Sequence, residues 1–197
     1  AVHTFSGQPL VSVLKQEKAG APNPQTHIIV TKTEYDDLGR LVTVKKAIYS
    51  TVNGVAVNKA EEVIVSNSYN NLGQLKSKKL APAYNSGQGL ETLNYDYNIR
   101  GWMLAINKEY LVSSPVDHWF GMELGYDKSG TAPGTTSYTK PEYNGNISGS
   151  IWRTKGDGIR RKMDYDYDLA NRFNRADYTQ NTSGSGWEYT TMNFSVW

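Results

Sequence analysis

The stretch Tyr35-Asp36-Asp37-Leu38-Gly39-Arg40-Leu41 decides the fold, because it returns as Tyr69-Asn70-Asn71-Leu72-Gly73-Gln74-Leu75 with Asp/Asn and Arg/Gln exchanged. A third copy reads Tyr97-Asn98-Ile99-Arg100-Gly101-Trp102-Met103, and a fourth reads Tyr167-Asp168-Leu169-Ala170-Asn171-Arg172-Phe173. Asp or Asn at the first position of a type I turn, with Gly three residues on, is the pattern of a tight hairpin closed through a bulge. The side-chain oxygen accepts from backbone two residues ahead. The fifth residue of the phrase then turns back with positive φ, which Gly39, Gly73 and Gly101 allow and which Asn171 tolerates better than most residues.

Outward from the turns the pattern has period two, the mark of strands. Leu93, Tyr95 and Tyr97 share one parity against Asn94, Asp96 and Asn98, and Met163, Tyr165 and Tyr167 oppose Asp164, Asp166 and Asp168. Val63, Val65 and Tyr69 carry the apolar parity into the second turn. Each copy reads as a hairpin with one aromatic face. Tyr35, Tyr69, Tyr97 and Tyr167 are expected on a common face, with Leu41, Leu75, Met103 and Phe173 beside them. Tyr126-Asp127-Lys128-Ser129-Gly130 keeps the turn but leads into a Gly/Pro/Thr/Ser loop over 130–137, and Tyr143-Asn144-Gly145-Asn146-Ile147 is a degenerate cousin. The spacing of the copies is uneven, so the array is a series of hairpins with variable loops and not a strict solenoid.

Composition agrees. The chain has 197 residues with 14 Tyr, 5 Trp and 18 Gly but only 38% hydrophobic residues, an all-β profile of aromatic strand formers punctuated by turns. Lys and Arg number 21 against 19 Asp and Glu, and a net charge of +2 disfavours a nucleic-acid partner. The absence of cysteine excludes disulfides, thiolate metal sites and a cysteine nucleophile. No apolar run reaches the length of a membrane span, and the first twenty residues lack the basic start and apolar centre of a signal peptide, so the start reads as an internal cut. One curved, twisted antiparallel sheet domain is expected over 1–197. Within it the recognisable repeats run over about 28–178, with 1–27 as an N-terminal edge segment and 179–197 as a C-terminal strand segment.

The recurring phrase resembles the YD repeats of the Rhs (rearrangement hotspot) family, whose core is Tyr-Asp, two variable residues and Gly-Arg-Leu. The stretches 97–107 (YNIRGWMLAIN), 120–126 (FGMELGY), 143–152 (YNGNISGSIW) and 167–178 (YDLANRFNRADY) are similar to the variant of secreted Bacteroidetes Rhs proteins. The resemblance implies a non-catalytic segment of a β-shell that encloses or presents a C-terminal toxin or effector, in an extracellular or cell-surface setting. In teneurin-like receptors a comparable shell is an adhesion scaffold, so a cell-surface adhesion or carbohydrate-binding module is the alternative. The core-associated segment at which bacterial relatives cleave themselves is not found in the sequence. Expected partners are adjoining repeats, the effector of the parent chain, a carbohydrate or surface receptor, and a second copy paired through an open sheet edge.

Other constellations weigh less. His3, His27 and His118 lie apart and read as ordinary surface or packing residues, and Asp117-His118-Trp119 lacks an indicated nucleophile. The run Asp164 to Asp168 opens like a calcium loop, but Leu169 and Arg175 stand where Gly and Glu are required. Its carboxylates therefore read as a solvated outer face. Gly156-Asp157-Gly158 reads as a hairpin turn and Arg160-Arg161-Lys162 as a solvated basic run. No cofactor is expected. Trp102, Trp119 and Trp152 are candidate ligand-facing aromatics for a sugar surface, set against a role in packing the sheet.

Overall fold

The structure is a computed structural model, and it describes residues 1–20, 22–112, 118–181, 187–189 and 194–195. The repeated phrases close as their residues dictate. Asp36 N–H donates to the Arg40 carbonyl at 3.0 Å and Gly39 N–H to the Asp36 carbonyl at 2.8 Å. The same two bonds recur at 2.9 Å within 70–74, 98–102 and 168–172. The residue that turns the chain back has φ of +75° at Gly39, +79° at Gly73, +82° at Gly101 and +59° at Asn171.

One side-chain oxygen supports each turn twice. Asp36 Oδ1 accepts from the N–H of Leu38 (3.0 Å) and Arg40 (2.8 Å), and Asn70 Oδ1 from Leu72 and Gln74, both at 3.0 Å. Asn98 Oδ1 takes Arg100 and Trp102, and Asp168 Oδ1 takes Ala170 and Arg172, all at 2.9 Å. The remaining atom of the same side chain explains the exchanges between copies. Arg40 Nε donates to Asp36 Oδ2 and Arg172 Nε to Asp168 Oδ2, each at 2.7 Å. In the second copy Asn70 Nδ2 donates to Gln74 Oε1 at 2.7 Å. The Asp oxygen takes a donor four residues on and the Asn70 amide an acceptor, which matches Arg to Asp36 and Asp168 and Gln to Asn70, while Asn98, with Trp102 four residues on, keeps only the bonds to its turn.

Cα packing divides the chain into two units, 1–92 and 93–197, each taken by itself. The first holds β1 (Val2–His3), β2 (Pro9–Lys18), β3 (Gln25–Tyr35), β4 (Leu41–Val52), β5 (Val55–Tyr69) and β6 (Leu75–Leu80), antiparallel and in chain order. The β4–β5 connection is the two-residue turn Asn53-Gly54 with φ of +52° and +77°, the type I′ geometry that matches strand twist. Among the described residues of this unit, Ala47 is the one buried hydrophobic side chain. The unit is a single layer held by cross-strand pairs and turns.

The second unit contains most of β7 (Glu91–Tyr97), then β8 (Met103–Ile106), α1 (Lys108–Val112), β9 (Phe120–Gly125), β10 (Gly149–Thr154), β11 (Arg160–Tyr167) and β12 (Phe173–Asn181). β13 (Glu188–Tyr189) and β14 (Phe194–Ser195) both pair with β12. All pairings are antiparallel, so the architecture is all-β apart from one helical turn. This unit has a core of Ala105, Tyr110, Leu111, Tyr126, Tyr138, Ile151 and Ala176. α1 packs on β9 and β10, and complete burial of Leu111 there is worth ~1.5–3 kcal/mol.

In both units a register shift immediately precedes the motif tyrosine. It leaves Tyr35 opposite Leu41, Tyr69 opposite Leu75, Tyr97 opposite Met103 and Tyr167 opposite Phe173.

The carboxylates of Asp36 and Asp168 sit below their ordinary value of 3.8, chiefly because the backbone N–H groups of Arg40 and Arg172 favour the charged form. Their support of the turns is therefore complete above that value and is lost as pH falls through the depressed one. The amide resonances of Leu38 and Arg40, followed by NMR in an acid titration, will step with a midpoint below 3.8. Those of Leu72 and Gln74, bonded to an amide that does not titrate, will not, and equal steps in both sets would contradict the account.

Candidate functional site

Three of the four motif tyrosines, and Tyr126, hydrogen-bond to backbone through their hydroxyls. Tyr35 Oη donates to the Pro9 carbonyl at 3.0 Å and Tyr69 Oη to the Leu41 carbonyl at 2.8 Å. In the second unit Tyr126 Oη donates to the Met103 carbonyl at 3.1 Å and Tyr167 Oη to the Ile147 carbonyl at 3.0 Å. Pro9, Leu41 and Met103 are the first residues of β2, β4 and β8, so these tyrosines latch onto the start of the strand before their own, and Ile147 lies two residues ahead of β10. Arg40 adds a second tie, with its guanidinium 4.6 Å from the centre of the Tyr69 ring.

The latch to Pro9 exposes a turn that the sequence reading missed. Thr4 N–H donates to the Gln8 carbonyl at 2.8 Å and Gly7 N–H to the Thr4 carbonyl at 3.0 Å, with Gln8 N–H on Thr4 Oγ1 at 3.0 Å. Thr4 thus stands where Asp36 stands in the first recognised copy, and His3 stands in the tyrosine position. The shared Gly-Gln pair of Gly7-Gln8 and Gly73-Gln74 was the signal available. Gln8 Nε2 also donates to the Gly39 carbonyl at 2.8 Å, tying this turn to the next.

Two expectations about charge are corrected. Asp164 is 6% and Lys162 4% exposed, not part of a solvated face. Lys162 Nζ donates to Asp164 Oδ2 at 2.6 Å and to the Ser137 carbonyl at 2.9 Å, and Thr139 N–H donates to Asp164 Oδ1 at 3.0 Å. The segment around Tyr138 covers this strand, and pairing to its backbone is what lets both charges stay buried. Arg160 is likewise engaged, with Nε donating to the Leu111 carbonyl at 2.6 Å. Arg161 pairs with Asp157 inside the Gly156–Gly158 turn. Only Asp166 of the inner carboxylates keeps the exposed role, half open beside Lys140 at 3.2 Å.

Tyr138, 2% exposed, is the keystone of this cover. Gly125 of β9 and Gly149 of β10 are direct cross-strand partners. A Cβ on either would stand 2.4 Å from the Tyr138 ring. The two glycines form a notch, and the ring fills it. Beside it Glu123, 7% exposed, accepts from Ala132 N–H at 2.8 Å and from Tyr138 Oη at 3.4 Å. Burial raises the Glu123 carboxyl above its ordinary value, against smaller opposing effects of Lys108 and these two donors. Burial also pushes the Tyr138 phenol upward, with Glu123 adding to the shift.

Glu123 opens onto a cavity of about 580 Å³ within the second unit, whose polar lining includes Asn98, Arg100, Lys108, Asp127 and Lys128. Its size suits a small molecule. The three candidate indoles do not share a platform. Trp102 packs on Tyr126 with ring centres 5.2 Å apart and closes over Gly145. Trp152 meets Tyr178 at 6.3 Å, and the half-exposed Trp119 carries Lys155 Nζ 4.7 Å above its ring. His27 bonds Ser50 at 2.8 Å and Gln25 at 3.2 Å, and His118 bonds Glu109 at 3.1 Å. Asp117 lies outside the described residues, as does much of the expected C-terminal strand segment. No metal-holding group of three His, Cys, Asp or Glu side chains occurs among the described residues.

No family model matches the chain, and no curated protein matches it. Among solved structures, a porin-like protein from Bacteroides uniformis ATCC 8492 aligns over 94% of this chain and 92% of its own at 9% identity. Its TM-score of 0.27 is too low to carry an argument about fold or function.

A raised carboxyl value means that the stability linked to Glu123 protonation is complete below the ordinary 4.5 and is lost as pH rises through the folded value. In Glu123→Gln, Oε1 still accepts from Ala132 and Nε2 donates to the Tyr138 oxygen, without a charge to bury. Thermal unfolding from pH 4 to 8 will show the parent losing stability relative to this variant as pH rises. Parallel curves would remove the assigned role of burial at Glu123.

Proposed function

We propose that the chain is a non-catalytic structural segment of Rhs type, a run of YD hairpins in the wall of a secreted or surface β-shell that encloses or presents a C-terminal effector. The observation that carries this reading is the latch from Tyr35, Tyr69, Tyr126 and Tyr167 to the chain at or just before the start of the preceding strand. Within each unit it makes a hairpin depend on its neighbour, and that is what a wall built from repeats requires. In the copies at 35–41, 69–75 and 167–173 the side-chain polar atoms of Asp36 and Arg40, Asn70 and Gln74, and Asp168 and Arg172 are spent on the turn itself.

The second reading, an adhesion or carbohydrate-binding module, draws its support from the cavity beside Glu123, since the indoles of Trp102, Trp119 and Trp152 are engaged with separate partners. The two readings are compatible in one wall with a receptor site.

Tyr69→Phe and Tyr167→Phe remove one hydroxyl each and keep the ring. Each will lower unfolding free energy by about 0.5–1.5 kcal/mol, the net value of one hydrogen bond. The two losses will add, because the latches share no partner. In the full parent chain the double variant will also make the segment following the repeats more sensitive to protease. Denaturant unfolding and timed proteolysis check both, and wild-type behaviour in both assays would defeat the scaffold reading.

A further inference from the structure

The cavity beside Glu123 gathers three cations, Arg100, Lys108 and Lys128, with the carboxylates of Glu123 and Asp127. Elsewhere Lys15, Lys32, Arg40, Lys45, Lys140, Arg161, Lys162, Arg172 and Arg175 each form an ion pair. Arg100, Lys108 and Lys128 all line the cavity, and none of them forms an ion pair among the described residues. Arg100 is instead held over the Trp102 ring, its guanidinium carbon 5.1 Å from the ring centre, so the nitrogens at its rim remain free to donate. Lys108 and Lys128 are both exposed at their positions and need no movement of the backbone to reach a ligand.

The remaining lining argues for more than a bare anion. Ile99, 99% exposed, and Leu104 present apolar surface, the complement of a sugar-ring face. Asn98 uses Oδ1 on its own turn and leaves Nδ2 as a donor, while the Asp127 carboxylate is an acceptor. Three cations against the two carboxylates of Glu123 and Asp127 leave one positive charge over, and with a donor, an acceptor and an apolar wall they fit hydroxyls, a ring face and a carboxylate carried on one molecule.

We propose that this cavity binds an acidic saccharide, a sugar bearing a uronate-type carboxylate, with Arg100 and Lys108 holding the carboxylate and Asn98 and Asp127 reading its hydroxyls. The proposal deepens the carbohydrate-binding reading by naming the ligand class and moving the site from the indoles to the turn that carries Arg100.

Calorimetric titration of the chain with glucuronate, glucose and acetate tests it, with Trp fluorescence as a second signal because Arg100 lies on Trp102. Glucuronate will bind at least tenfold more tightly than either glucose or acetate. Arg100→Ala and Lys108→Ala will each weaken it about tenfold, the scale of one charged hydrogen bond. Far-ultraviolet circular dichroism of both variants will match the parent, since both side chains are exposed. Glucose binding as well as glucuronate would overturn the acidic preference while leaving the carbohydrate reading standing, and acetate binding as well would overturn the saccharide. Absence of any binding, or full binding by both variants, would overturn the site.

Discussion

One oxygen atom sets the geometry from which the rest follows. In each turn phrase an Asp or Asn side-chain oxygen takes two backbone N–H groups, two and four residues ahead, which fixes the chain reversal through local bonds. The reversal forces positive φ on the residue that follows, and the bulge then aligns the motif tyrosine with the first apolar residue of the returning strand. The tyrosine hydroxyl is delivered to the neighbouring strand by that alignment. A chain with few buried side chains in its first unit thereby acquires order from a ladder of local bonds.

The second unit uses the same hairpins to a different end. Its loop over 126–148 folds back on the sheet, and the opposed glycines Gly125 and Gly149 accept the Tyr138 ring there. Covering a polar strand face that way is costly unless its charges are paired, and Lys162, Asp164 and Glu123 each find backbone or side-chain partners in the covering segment. The cavity lies at the edge of that cover, where Arg100, Lys108 and Lys128 line one space with the carboxylates of Glu123 and Asp127. A structural device and a candidate site are thus products of one insertion between hairpins.

What the sequence made legible was local. The turn phrases, their glycines and the tolerance of Asn171 for a left-handed backbone follow from residue chemistry within five positions, and the all-β antiparallel class follows from them. Two turns of the same chemistry were overlooked: Asn53-Gly54, a strong two-residue hairpin signal, and Thr4 to Gln8, where Thr and His replace Asp and Tyr. The exchange of Asp/Arg for Asn/Gln was visible, but its meaning needed the second side-chain atom. Parity misled at Asp164, because a period-two pattern says which residues share a face and not whether a distant loop covers it. The Gly125–Gly149 notch and the cavity depend on segments far apart in the chain, which no local pattern encodes.

The coupling of Asp36 to Arg40 tests the central claim most directly. Asn at position 36 would turn an amide donor toward the Arg40 guanidinium, whereas Asn with Gln at position 40 recreates the pairing seen at Asn70 and Gln74. Urea unfolding of Asp36→Asn, Arg40→Gln and the double variant forms the cycle. The account predicts that Asp36→Asn alone lowers the midpoint and that the double variant returns to the parent value. Strict additivity of the two single changes would contradict it.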